Sequence, residues 1–180
     1  MTIAIHQPNL FPWQPYFQKM RDCDLFVLLG HCQYEKNNYQ SRFRADGRWF
    51  HMSVNRGMEP IRAKRYVFLE KDWNRLKANW PQLAVFDGCM SESLWQTNCA
   101  IIYKAMSLLN ITTEVTTDYE THLRGTARLV DICLHHGAGK YLAGNGSRKY
   151  LDVAMFNQHD IEVIFQEEKG LDKRALVELL

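Results

Sequence analysis

Apolar positions cluster at both ends of the chain, and a polar, basic stretch separates them. Thr2–His6 reads as a short strand, and Leu25–Leu29 is five apolar residues in a row, the pattern of a strand covered on both faces of a parallel sheet. Between them, Gln7–Pro15 carries three of the five prolines, which predicts a stiff loop. Tyr16–Asp22 follows as a helix with Pro15 in its first turn. Strand, loop, helix, strand is the signature of a βαβ unit. Further on, Tyr39–Phe43, Trp49–Val54 and Ala63–Phe68 read as short strands, with Asp46-Gly47 as a hairpin turn. Helices are predicted over Trp73–Trp80 and Leu94–Asn110, the second behind a cap at Ser91 or Ser93. The last third alternates: strand Thr112–Thr116, helix Thr126–His136, strand Tyr141–Ala143, helix Ser147–Gln158, strand Ile161–Phe165, then a helix over Asp172–Leu180. The expectation is α/β, a single three-layer domain over residues 1–180 with a mainly parallel central sheet and an inserted antiparallel hairpin region at about 37–70.

Composition narrows the class. A chain of 180 residues with 46% hydrophobic and 12% aromatic content is globular rather than disordered, and no apolar run is long enough for a membrane span. The N-terminus lacks the basic start of a signal peptide, and the five cysteines are scattered without C-x-x-C spacing. Cytoplasmic location is therefore expected. Net charge is only +2, but Lys36–Lys77 holds 11 Lys and Arg against 4 Asp and Glu, an excess of 7. Asp152–Leu180 holds 3 against 7. A basic face suits an anionic ligand such as a phosphate- or carboxylate-bearing sugar derivative; the low net charge and acidic tail disfavour nucleic acid. A homo-oligomer is compatible with this composition.

Three stretches carry candidate chemistry. The first, His6-Gln-Pro-Asn9, leaves the first strand at its carboxyl end, where ligands of doubly wound folds sit. His6 is the candidate general base, with Gln7 and Asn9 orienting a substrate. The second, His31–Arg44, is dense in amides and aromatics; Gln33, Tyr34 and Gln40 suit hydroxyl recognition, and Arg42 suits phosphate or carboxylate. His31-Cys32 invites a thiol mechanism, but neighbours on an extended chain point to opposite faces. The third, Gly144–Asp152, joins a strand to a helix start, with Ser147 as its cap. Its free backbone N–H groups, with Asn145, Arg148 and Tyr150 nearby, suit an anion. It matches neither the P-loop nor G-x-G-x-x-G. No motif demands a cofactor, and no spacing suggests a metal site.

Ile3-Ala-Ile-His-Gln-Pro-Asn9 with Pro12-Trp13 and Tyr16-Phe17, then Asp24-Leu-Phe-Val27, Gln33-Tyr34, Lys36, Gln40 and Arg42, resembles the WbqC-like family of bacteria. Arg128–Cys133, Gly137-Ala138, Tyr141-Leu-Ala-Gly144, Tyr150-Leu-Asp152 and the Ile161-Glu-Val163 strand extend the resemblance over nearly the whole chain. Members occur in gene clusters for O-antigen and other surface polysaccharides. The resemblance implies aminoacyl or acyl transfer to an activated or nucleotide-linked sugar. It also departs: Gly30-His31 stands where many members carry an acidic pair before Gln-Tyr. Two alternatives stay open. One is a nucleotidyltransferase-like enzyme, by loose analogy of fold; the other is a non-catalytic module binding an anion or nucleic acid.

Overall fold

A computed structural model describes residues 1–167, 170 and 174–179. The chain opens with β1 (Thr2–His6), α1 (Gln14–Arg21) and β2 (Leu25–Leu28), the βαβ unit predicted from the apolar pattern. β3 (Arg42–Ala45) and β4 (Arg48–His51) form a separate antiparallel hairpin, turning at Asp46 and Gly47, both with positive φ. α2 (Leu69–Asn79) and α3 (Leu94–Leu108) follow, and Ser93 caps α3 by accepting from the Gln96 N–H. The remainder alternates through β5 (Glu114–Thr117), α4 (Gly125–His135), β6 (Lys140–Ala143), α5 (Val153–Asn157) and β7 (Glu162–Phe165).

Five strands pair in parallel in the order β5-β2-β1-β6-β7. The chain first winds outward from β1 through β2 to β5, then returns to β1's other edge and winds the opposite way. The reversal lies between β1 and β6, so the loops leaving these strands diverge and open a crevice at the carboxyl rim. Alternation along β1 divides the core. Ile3 and Ile5 face the α4 and α5 side with Val130, Ile132 and Phe156. Ala4 faces the α1 and α3 side with Phe17, Met20 and Ile101, which is also the side of His6.

Three expected elements take other forms. Ala63–Phe68 is no strand of a sheet: a 3-10 turn occupies Ile61–Ala63, and the next residues thread between two neighbours. Arg65 O accepts from Asn55 N and the Val67 N–H goes to Ser53 O, while Lys64 O and the Tyr66 N–H bond with the 92–94 segment. The helix expected over Ser147–Gln158 splits into a 3-10 turn, Asn145–Lys149, and the short α5. Ser147 does not cap it, because its hydroxyl donates back to Gly144 O at 2.6 Å; Asp152 caps α5 instead, accepting from the Met155 N–H. Of the helix expected over Asp172–Leu180, residues 172, 173 and 180 lie outside the described residues, and Leu176–Glu178 forms a single 3-10 turn. Among the described residues, no helix is long and apolar enough to cross a membrane.

Candidate functional site

A cavity of about 210 Å³ occupies the crevice between β1 and β6. β1 delivers His6, α1 delivers Tyr16 and Lys19, and the turn after β6 delivers Asn145, Gly146 and Ser147. The half-buried His6 ring packs edge-on to Tyr16 at 4.8 Å and to Trp13 at 6.4 Å. Its Nδ1 lies 3.0 Å from Gln7 O. A carbonyl only accepts, so Nδ1 carries the hydrogen and Nε2 presents a lone pair. Burial, reinforced by the nearby Lys19 charge, pushes the His6 pKa down to about 3, with the Gln7 carbonyl offsetting part of the effect. His6 is thus a neutral imidazole with an open acceptor.

Lys19 is the residue that the sequence did not announce. It is only 3% exposed, donates to Ile5 O at 3.1 Å, and has no carboxylate partner among the described residues. Burial lowers its pKa to about 8. The cavity lining contains no Asp or Glu. A largely protonated amine is therefore held in an acid-free cavity with one hydrogen bond, an arrangement that favours an incoming anion. Counting along α1 would have placed position 19 on the buried face, and a lysine there was the available signal.

The three predicted stretches do not share one cavity. Asn145, Ser147 and Tyr150 line the His6 cavity; Tyr150, 76% exposed, stands at its edge. Arg148 is held away, donating to Asn145 Oδ1 at 2.9 Å with its guanidinium 4.0 Å from the Phe165 ring centre. The turn is a single short 3-10 stretch rather than the start of a long α-helix, so Lys19 supplies the cavity's positive charge.

Gln7 points the other way. With Gln33, His31 and Cys32 it lines a second pocket of about 290 Å³ beyond β2. Asp118 anchors this side, accepting from the Gly30 and His31 N–H groups, from His31 Nδ1 at 3.1 Å and from the Arg128 guanidinium. Gly30 has no alternative: a Cβ would come within 2.6 Å of the Trp95 ring. Burial raises the Cys32 thiol pKa, outweighing the Gln7 amide N–H that Sγ receives at 3.4 Å, so the thiol stays protonated.

The remaining candidates are structural neighbours of the first loop. Gln40 donates to Gln7 Oε1, and Tyr34 shares a 2.6 Å hydrogen bond with Ser41. Asn9 is buried with its Oδ1 unbonded. Arg42 stacks on Trp49 at 3.9 Å. Asn98 of α3, which the sequence reading did not single out, donates to both Pro8 O and Gln40 O and accepts from Tyr66 OH. Among the described residues, no three His, Cys, Asp or Glu side chains gather to hold a metal.

Comparison with known proteins gives a relative and a family. The chain is 25% identical over 193 residues to the uncharacterized protein Rv1507c of Mycobacterium tuberculosis, with 93% of this chain and 83% of that protein covered. No solved structure matches it. Residues 7–172 match the model of the WbqC-like protein family, from the amide of the first loop to beyond the last strand, and the chain belongs to that family.

Proposed function

We propose that the protein is a transferase of bacterial surface-polysaccharide synthesis, moving an aminoacyl or acyl group onto an activated, anionic sugar derivative, with the β1–β6 cavity as its site. The observation that carries this reading is a buried Lys19, without a carboxylate partner among the described residues, beside a neutral His6 in one cavity. Lys19 holds the anionic group. Asn145 and the backbone around Gly146 bond the sugar, and Tyr150 closes over it. His6 Nε2 receives the proton of the attacking amine or hydroxyl as the new bond to the acyl carbon forms, and returns it to the donor's departing group. A base with a pKa of about 3 is weak. An amine that has added to a carbonyl is far more acidic than a free amine, however, and an anion beside Lys19 offsets the charge that adds to the burial effect on His6.

The test is turnover of an activated aminoacyl or acyl donor with sugar phosphates, read as acylated sugar by mass spectrometry. His6→Ala lowers kcat by roughly 10²–10⁴-fold. Undiminished turnover in that variant overturns the assignment.

A further inference from the structure

The His6 cavity does not end at Trp13. Across Trp13, Asn145 and Gly146 it abuts a larger groove of about 680 Å³. Phe11, Phe43, Ala45 and Ala175 form its apolar lining. One wall is aromatic: Tyr39 lies 4.8 Å from Trp13, tilted by 49°, so the ladder that starts at His6 continues into the groove. The opposite wall exists because the C-terminal segment is tied to the first loop, Leu176 N to Pro12 O and Ala175 bridged to Trp13.

The charges at the rim are unequal in availability. Asp46 is paired with Arg48 at 3.1 Å. The Glu178 carboxylate accepts from the Asp46 and Ala175 N–H groups, both at 2.9 Å. Arg44 has no ion-pair partner among the described residues. The groove thus offers a ligand the faces of Tyr39 and Trp13 and, in Arg44, a guanidinium outside any ion pair among the described residues. Size divides the ligand too. Small-molecule sites typically span about 300–1,000 Å³, so the inner cavity admits a head group and the groove takes the body.

From these placements we infer that cavity and groove form one bipartite site for a nucleoside phosphate, the base lying against Tyr39 and Trp13 and the phosphate turned towards Arg44 and Lys19. This rests on the reading of the inner cavity given above, and it narrows the activated sugar to a nucleotide-linked one. Aromatic side chains suit a base because every base has a flat face, and Arg44 adds charge beside it.

Calorimetric titration tests the inference, using uridine, cytidine, adenosine and guanosine diphosphates beside glucose 1-phosphate. At least one nucleoside diphosphate binds tenfold or more tightly than glucose 1-phosphate, the increment that stacking supplies being roughly 5- to 100-fold. Tyr39→Leu reduces that ratio towards one, and so does Arg44→Gln, whose exposed position leaves folding intact. Lys19→Met weakens binding of both ligands. Equal affinities for the two ligand classes, or a ratio unmoved in both groove variants, overturns the bipartite site while leaving the transferase reading standing. That reading fails on a different readout, turnover in His6→Ala.

Discussion

His6 and Lys19 line one small cavity, and burial makes both harder to charge, with the Lys19 charge adding to the effect on His6. The folded pKa of His6, about 3, is far below the 6.5 of a free imidazole. Between those values the unfolded chain holds a proton that the folded chain refuses. Stability from this group is therefore complete above pH 6.5 and is lost as pH falls towards 3. At about 1.4 kcal/mol per tenfold in proton affinity the loss is a few kcal/mol. His6→Gln should flatten the acid side of the stability profile measured by urea titration; a parallel decline in both proteins contradicts the burial argument. Lys19 follows the same arithmetic in a higher pH window, so at neutral pH it stands on the penalised side. Its folded pKa of about 8 lies below the unfolded 10.5, so burying the charge opposes folding at neutral pH, and stability rises from pH 8 towards 10.5. Lys19→Met is expected to raise the melting temperature, by ~2 kcal/mol in stability at pH 7, while abolishing most of the affinity for sugar phosphate. In the unaltered protein, affinity for the same ligand should fall as pH is raised through 8, where the amine loses its proton.

Elements are held to the rim by a few polar clasps. Asp118, at the end of β5, receives the backbone of Gly30 and His31 beyond β2 and the Arg128 guanidinium of α4. It thereby fixes three elements with one carboxylate. Removing one partner of such a buried pair leaves an uncompensated charge, so Asp118→Ala should cost about 3–5 kcal/mol in denaturant unfolding. Asp152→Ala, which takes only the cap from the short α5, should cost about 1 kcal/mol. The strands of the sheet and the long helices were legible because their apolar periods are strong. The segment 147–158 was not, because Ser147 serves a local turn through Gly144 O and the helix restarts only at Asp152. Ala63–Phe68 failed for a related reason: its alternation is that of a strand, but its hydrogen bonds are divided between two flanking segments.

Across the whole molecule, many basic side chains of the 36–77 stretch have a local partner, although Lys64 alone among them is buried. Lys64 is buried against Glu59 and two carbonyls; Arg65, Arg75 and Lys77 pair with Glu92, Asp72 and Asp87; Arg42 and Arg62 lie on Trp49 and Trp95. Local pairs of this kind and a net charge of only +2 weaken the field a polyanion would meet. Affinity for a duplex should be weak, and affinity for a small anion at Lys19 should change by less than about tenfold between 50 and 200 mM salt, against the 10³–10⁵ of a protein contacting many phosphates. A steep salt dependence would favour the nucleic-acid reading instead.

By itself, the sequence determined the alternation of strand and helix and the parallel centre with its inserted hairpin, since these follow from short-range periodicity and turn chemistry. Family resemblance was equally legible, because the matching residues lie in order along the chain. The tertiary structure alone decided that His6 and Gln7, adjacent in sequence, open into different pockets on either side of the rim. It also decided that Lys19, inconspicuous in α1, is the cation of the inner cavity, and that the last residues complete a wall against Trp13. These depend on which strands become neighbours and on where a charge is left without a partner, and neither is encoded within a few residues of the side chain concerned.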